Sequence, residues 1–348
     1  MSDRGGTRHP LVELTLARFK EFLREPEAVF WVFAFPIIMT CALGVAFRSR
    51  GPEPIIAGVA AVAGGDRLAS ALEGAGGFTV RRIAVDDIAA AIRTGRAPVV
   101  VVPGTPITYR YDEARAESQV ARLAVDRALQ QAFGRVDAFT AREEPMEVVG
   151  SRYVDWLVPG LLGMNIMSTG LWGVGFAIVQ ARTRKLLKRL VATPMSRAHY
   201  LASHVLSRLA FLALEAGVLV AFGWFAFGVA VHGSLLTLAV VCIVGALSFG
   251  GLALLVASRA KTIEAISGWL NLVMLPMWVL SGVFFASTNF PDVIQPLIKA
   301  LPLTALVDAL RAVMNEGAPL PAIARELAIL TAWGVLPFAA ALKLFRWQ

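Results

Sequence analysis

Residues 235–257 read LLTLAVVCIVGALSFGGLALLVA, twenty-three consecutive positions without a charge. At about 1.5 Å of rise per residue, a helix of that length crosses the ~30 Å hydrocarbon layer of a bilayer. Outward from it, five more stretches meet the same requirement: Val29–Phe47, Val154–Val179, Val205–Val231, Ile263–Phe285 and Ala322–Leu344. The composition agrees. Of 348 residues, 57% are apolar and 17% charged, with a mean hydropathy of +0.64, whereas a soluble globular chain is nearer half apolar and a quarter charged. Disorder and a disulfide scaffold are excluded, and both cysteines, Cys41 and Cys242, lie in apolar runs as small hydrophobes. A mixed-charge segment, 1–28, precedes the first span, which is therefore expected to be retained rather than cleaved as a signal peptide.

The formal net charge of +8 raises nucleic acid as a partner. No Lys/Arg stripe interleaved with aromatics appears, so none is expected, and the excess reports membrane orientation instead. From Arg182 to Arg208 the connection carries Arg182, Arg184, Lys185, Lys188, Arg189, Arg197 and Arg208 with no acid, and Arg259 and Lys261 follow the fourth span. Both places are expected to face the cytoplasm, which puts both termini inside and exports the segment 48–152. That segment holds 14 Arg and no Lys against 13 acids. Strand-like runs at Ile55–Val62, Phe78–Val85, Val99–Val102 and Ile107–Tyr111 alternate with helix-like runs at Asp66–Ala75 and Asp86–Thr94, and a longer helix fits Glu113–Phe133. It reads as an inserted extracytoplasmic α/β domain, with Asp86 as an N-cap and Gly76, Gly77 and Gly95 as helix stops.

Searching for chemistry returns negatives. There is no Gly-Lys dipeptide, so no P-loop lysine reaches a phosphate, and no HExxH, GxSxG or GxGxxG occurs. No catalytic residue, metal site or cofactor is expected on this chain. Before the first span, Val12, Leu16, Phe19 and Leu23 share a helical face, suited to the membrane surface or to a soluble partner. Glu215 is the one acid within a span away from its ends; it must face protein or water, in substrate or proton handling or in a structural hydrogen bond. Ala213, Gly217 and Ala221 are spaced for close helix approach. Asn165, Asn271 and Ser281 are polar candidates for helix contacts or a pathway wall. Pro36, Pro159, Pro276 and Pro337 are expected to kink spans.

Three stretches together resemble the ABC-2 family of ABC-transporter membrane subunits. Phe22-Leu23-Arg24-Glu25-Pro26 running to Phe35-Pro36 is similar to the family's entry from a surface elbow helix, here with Phe19, Phe22 and Leu23, into the first span. Leu186-Leu187-Lys188-Arg189-Leu190-Val191-Ala192-Thr193-Pro194-Met195-Ser196-Arg197 is similar to its coupling loop, although Arg182-Thr183-Arg184-Lys185 replaces the usual Glu-Arg-Gly-Thr portion. Leu280-Ser281-Gly282-Val283-Phe284-Phe285, then Phe290-Pro291, then Leu301-Pro302-Leu303-Thr304 through Asp308-Ala309-Leu310-Arg311 resembles its signature at the fifth span and the outer re-entrant helices. Prolines 291, 296 and 302 are expected to break this region, 286–317, into short pieces, and Asp308 and Arg311, three apart, to pair.

The resemblance implies an exporter subunit for a hydrophobic or amphiphilic substrate, drug or lipid-like, in the bacterial cytoplasmic membrane. The spans 29–47 and 153–348 would carry transport, with a coupling loop at 181–204. Two ATPase subunits would bind the ATP and Mg, and a second permease chain, the same as this one, would complete the pore amid membrane lipid. Independently of the family, a chain without an ATP site that moves cargo must receive work through rigid cytoplasmic contacts. Leu186, Leu187, Leu190 and Val191 offer an apolar face for that, while Lys188, Arg189 and Arg197 suit an acidic partner or anionic lipid equally. The alternative reading is a membrane sensor or scaffold with a ligand-binding outer domain and no transport.

Overall fold

A computed structural model describes residues 20, 22–47, 54–136, 139, 142, 144, 150–183 and 197–344, with only the backbone for 181, 182 and 197–206. The chain divides into two compact units, Arg50–Met146 and the remainder, Met1–Ser49 with Glu147–Gln348. The remainder opens with helix α1, Pro26–Ala46, whose turn Phe30–Ala34 is π-helical and sits directly before Pro36.

The inserted unit runs β1 (Ile55–Ala60), α2 (Gly65–Ala75), β2 (Phe78–Ile83), α3 (Ile88–Arg93), β3 (Val99–Val102), β4 (Thr108–Tyr111) and α4 (Ala116–Ala132). The sheet order is β2-β1-β3-β4; β1 is parallel to both neighbours and β4 antiparallel to β3. Strand alternation divides the core between the two faces. Val99 and Val101 join Ala57, Val59, Leu72, Val125 and Leu129 on one face, while Val100 joins Ala60, Ile83, Ile88 and Ala91 on the other. Helix α4 buries Ala121, Val125, Ala128 and Leu129 at three- and four-residue spacing. Its Asp126 accepts a 3.0 Å bond from the Tyr109 hydroxyl, and burial first, then that bond, pushes the phenol up to about 12. Helix α2 stops at Gly76, whose φ of +73° continues no helix. Asp86 lies within a short 3-10 turn, Val85–Asp87, and no side chain caps α3; Asp87 occupies the N-cap position instead.

The membrane unit continues with α5 (Tyr153–Thr183), α6 (Arg197–Phe227), α7 (Leu235–Arg259), α8 (Ile263–Leu280), α9 (Gln295–Ala300), α10 (Pro302–Glu316) and α11 (Ala324–Leu344). Among the described residues, six helices are long and apolar enough to cross a membrane: α1, α5, α6, α7, α8 and the stretch Leu320–Leu344. Helix α5 is the axis of the bundle, with 61% of its apolar window buried against 17% for α1. Leu157, Val158, Leu161, Leu162, Ile166, Met167 and Leu171 are fully enclosed there. Helices α7 and α8 start at side-chain caps: Ser234 accepts from the Leu236 amide and Thr262 from the Ala265 amide. Where α7 crosses α11, a β-carbon at Gly251 would collide with the Gly334 carbonyl oxygen, so glycine permits that approach. The expected small-residue stripe behaves differently, because Ala213, Gly217 and Ala221 are all exposed and nothing lies within 4 Å of a β-carbon built at Gly217.

Several helix ends differ from the sequence expectation: α5 runs on to Thr183 rather than Val179, and α6 already begins at Arg197 rather than Val205. The third span stops at Phe227 rather than Val231, and the fifth at Leu280 rather than Phe285. Gly228 and Gly282, at φ +66° and +74°, turn the chain although apolar residues continue beyond them. The region 286–317 is broken as expected, with an 82° bend between Asp292–Ala300 and α10. Pro296 and Pro302 open helices rather than interrupt them, the place where a missing amide costs nothing.

Candidate functional site: a charged network within the helix bundle

Glu215 is only 2% exposed, in the middle of α6. Arg208 lies seven residues earlier, two turns away on the same face, and its Nη1 stands 3.6 Å from Glu215 Oε1. Thr169 of α5 sits between them. Its hydroxyl oxygen accepts from Arg208 Nη2 at 2.6 Å, and its one proton serves the Asn165 carbonyl at 2.8 Å or Glu215 Oε2 at 3.0 Å. Asn165, one turn away, donates its side-chain amide to the Val32 carbonyl of α1 at 3.1 Å. One chain of polar contacts therefore ties α1, α5 and α6 together.

Pro36 explains the Val32 contact. In a helix the carbonyl of Val32 would accept from residue 36, and proline has no N–H. The second asparagine contact repeats this logic, because Pro159 leaves the Asp155 carbonyl without its helical donor and Asn315 of α10 donates to it at 2.9 Å. The prediction is specific. Asn315→Ala should cost about 1–3 kcal/mol, the penalty of an unmet buried acceptor, and much less in a Pro159→Ala background, where residue 159 supplies the amide. Thermal unfolding of the four proteins in detergent checks this; equal losses in both backgrounds would contradict it.

A second cluster surrounds Arg311. Its guanidinium donates to the Gly282 carbonyl at 2.6 Å and to the Trp156 carbonyl at 3.2 Å, and lies 3.3 Å above the Trp156 ring. The expected Asp308 pair is absent: the described residues show no ion pair between them, and Asp308 is exposed while Arg311 is 7% exposed. Two carbonyls and an indole face hold the guanidinium inward, so its planar fork is satisfied without the carboxylate. Nearby, Arg152 pairs with Asp155 at 2.7 Å and donates to the carbonyls of Phe227 and Gly228, capping the end of α6.

The other expected residues are distributed as follows. Ser281 is buried at the end of α8, its hydroxyl without a partner among the described residues, and Asn271 is exposed on α8. Neither joins the network. Pro291 precedes the 3-10 turn Asp292–Ile294, and Pro302 begins α10. Phe22 packs at 4.5 Å on Phe211 of α6, whereas Leu23 is exposed. Phe19 and the expected coupling residues Leu186, Leu187, Lys188, Arg189, Leu190, Thr193 and Pro194 lie outside the described residues, and Arg197 is described only as the first backbone position of α6. Arg208 belongs to α6 and not to the cytoplasmic connection. Its spacing of seven from Glu215 is the signal that marks it, as a proline four residues on marks Val32 and Asp155.

The family model of the ABC-2 family transporter protein matches residues 27–343, from α1 to the last turn of α11. The chain belongs to the ABC-2 transporter family. This ABC-2 protein is 30% identical over 203 residues to nodulation protein J of Bradyrhizobium diazoefficiens, a match covering 57% of the chain and 76% of that relative. It is 27% identical to the linearmycin resistance permease protein LnrN of Bacillus subtilis, over 53% of the chain and 48% of LnrN. To the inner membrane transport permease YadH of Escherichia coli K12 it is 28% identical, over 47% of the chain and 63% of YadH. With six candidate spans and the inserted α/β unit inside the matched region, it is a multi-pass ABC-2 permease, the transmembrane subunit of an ABC transporter. Permeases of this family normally work with an ATPase subunit.

Proposed function

We propose that this permease exports a hydrophobic or amphiphilic substrate, drug or lipid-like, across the inner membrane, driven by two separate ATPase subunits that bind the ATP and Mg. The observation that carries the reading is the family match across 27–343, in a chain whose sequence holds no P-loop lysine of its own. The names of two relatives, a linearmycin resistance permease and an inner membrane transport permease, support the direction and the membrane. Both termini and the basic segment 181–204, which takes in the end of α5 and the start of α6, face the cytoplasm, following the cation distribution, and the unit Arg50–Met146 lies outside. A second, identical chain completes the pathway.

In this reading, work enters at the connection between α5 and α6. A displacement of α6 acts directly on Arg208 and Glu215, and through Thr169, Asn165 and the Val32 carbonyl reaches α5 and α1. Two arrangements of that network, one bonded and one parted, would give the bundle two discrete states whose balance the ATPase shifts. The elbow segment shares in it, since Phe22 rests on Phe211 of the same helix.

Purification of the full chain from its native membrane in mild detergent tests this. An ATPase subunit is expected to accompany it, in two copies per two permease chains. A folded, dimeric permease repeatedly recovered without any ATPase would refute the exporter and favour a sensor or scaffold.

A further inference from the structure

A cleft of about 600 Å³ opens between α9 and the first half of α11. Its rim carries Asp292, Lys299 and Arg325, and Trp333 forms part of its wall, the indole N–H donating to the Ala300 carbonyl at 2.8 Å. An apolar face of α11 begins beside it, and Ala332 belongs to both. This face, formed by the one helix, runs past Leu327 and Val335 to Leu336. Its one polar side chain, Thr331, gives its hydroxyl proton to the Leu327 carbonyl of its own helix, so the face is apolar in effect. From Arg325 to Leu336 the helix advances about 16 Å at its ordinary rise, close to the ~15 Å half-thickness of the hydrocarbon layer.

A charged opening that continues into an apolar helix face of one-leaflet length suits the headgroup and one acyl chain of a single phospholipid. The charges decide which kind. Lys299 and Arg325 provide two cations; Asp292 on the rim, with Asp308 and Glu326 within electrostatic range, provides three carboxylates in all. That balance disfavours a simple anion and suits a zwitterion with its own phosphate and ammonium. We propose that this cleft binds an aminophospholipid of the outer leaflet, phosphate between Lys299 and Arg325, primary ammonium toward Asp292, and one acyl chain along the apolar face of α11 past Ala332. Such a lipid would brace the bent pair α9–α10 against α11. The inference rests on the orientation above, in which this end of α11 is extracytoplasmic.

The full chain is reconstituted in nanodiscs of equimolar dioleoyl phosphatidylethanolamine, phosphatidylglycerol and phosphatidylcholine, extracted gently, and its retained lipid counted by mass spectrometry. Phosphatidylethanolamine should be retained about tenfold over phosphatidylcholine, the effect of one charge-assisted hydrogen bond that a quaternary amine cannot make. Asp292→Asn should remove that preference. Lys299→Ala with Arg325→Ala, or Ala332→Trp at the junction, should abolish retention; the first three side chains are exposed, so the fold survives their loss. Equal retention of the three lipids, unchanged retention in the variants, or full displacement by soluble glycerophosphoethanolamine would overturn the proposal. Val293, 90% exposed, separates the two inferences. In a Cys41→Ala, Cys242→Ala background, Val293→Cys should react with an impermeant maleimide added outside, whatever the lipid result, and failure there would refute the orientation instead.

Discussion

Arg208→Leu is expected to destabilise the membrane unit by about 3–5 kcal/mol, and adding Glu215→Leu should recover most of that loss. The asymmetry follows from burial. Glu215 is 2% exposed, and without Arg208 its carboxylate keeps, among the described residues, the Thr169 hydroxyl alone. An uncompensated charge in a low-dielectric interior is far costlier than two apolar side chains of similar volume in the same place. Thr169 needs neither partner, since its hydroxyl can go on donating to the Asn165 carbonyl. Thermal unfolding of the two single variants, the double variant and the parent gives the coupling energy directly. Additive losses would show that the two side chains do not act as a pair. The double variant also separates stability from transport: if the network switches between two states, the stable double variant should still lose coupling between ATP turnover and export.

The second large effect is expected in the connection before α6. Leu187→Asp with Leu190→Asp places two carboxylates on the apolar face proposed to meet the ATPase. Burying unpaired carboxylates costs several kcal/mol each, so ATPase affinity should fall by about two orders of magnitude or more. Lys188→Ala, Arg189→Ala and Arg197→Ala together should weaken association modestly and chiefly at low salt, as solvent-exposed charges do.

Much of the membrane unit is legible in the sequence because a bilayer imposes a crude rule, a long run without charge. That rule places the spans but not all of their ends. Val229, Ala230 and Val231 prolong the apolar run past Gly228, yet the helix ends at Phe227, where Arg152 meets its last carbonyls. The inserted unit was readable from alternation, most clearly at Val99–Val102, whose side chains divide between two cores. The site was half legible. A lone acid in a span singles itself out, which marks Glu215, whereas Arg208 reads as one more cytoplasmic cation because hydropathy sums ignore a spacing of seven. Thr169, Trp156 and Asn315 carry no such mark, since their roles depend on which helix packs beside them. The local rule that a three-residue spacing pairs Asp308 with Arg311 lost to tertiary acceptors, the carbonyls of Gly282 and Trp156. Proline is a further signal in the sequence: each one inside a helix names the carbonyl four residues earlier that requires a donor from elsewhere.

The central claim is that this ABC-2 permease takes its energy from a partner ATPase through the connection between α5 and α6. The most direct test is substrate-stimulated ATP turnover of the reconstituted complex, measured for the parent chain and for the Leu187→Asp, Leu190→Asp variant at matched permease content. The account predicts turnover that rises with an amphiphilic substrate in the parent and loses that rise in the variant, while the variant's thermal unfolding stays unchanged. A variant whose stimulated turnover equals the parent's would contradict it.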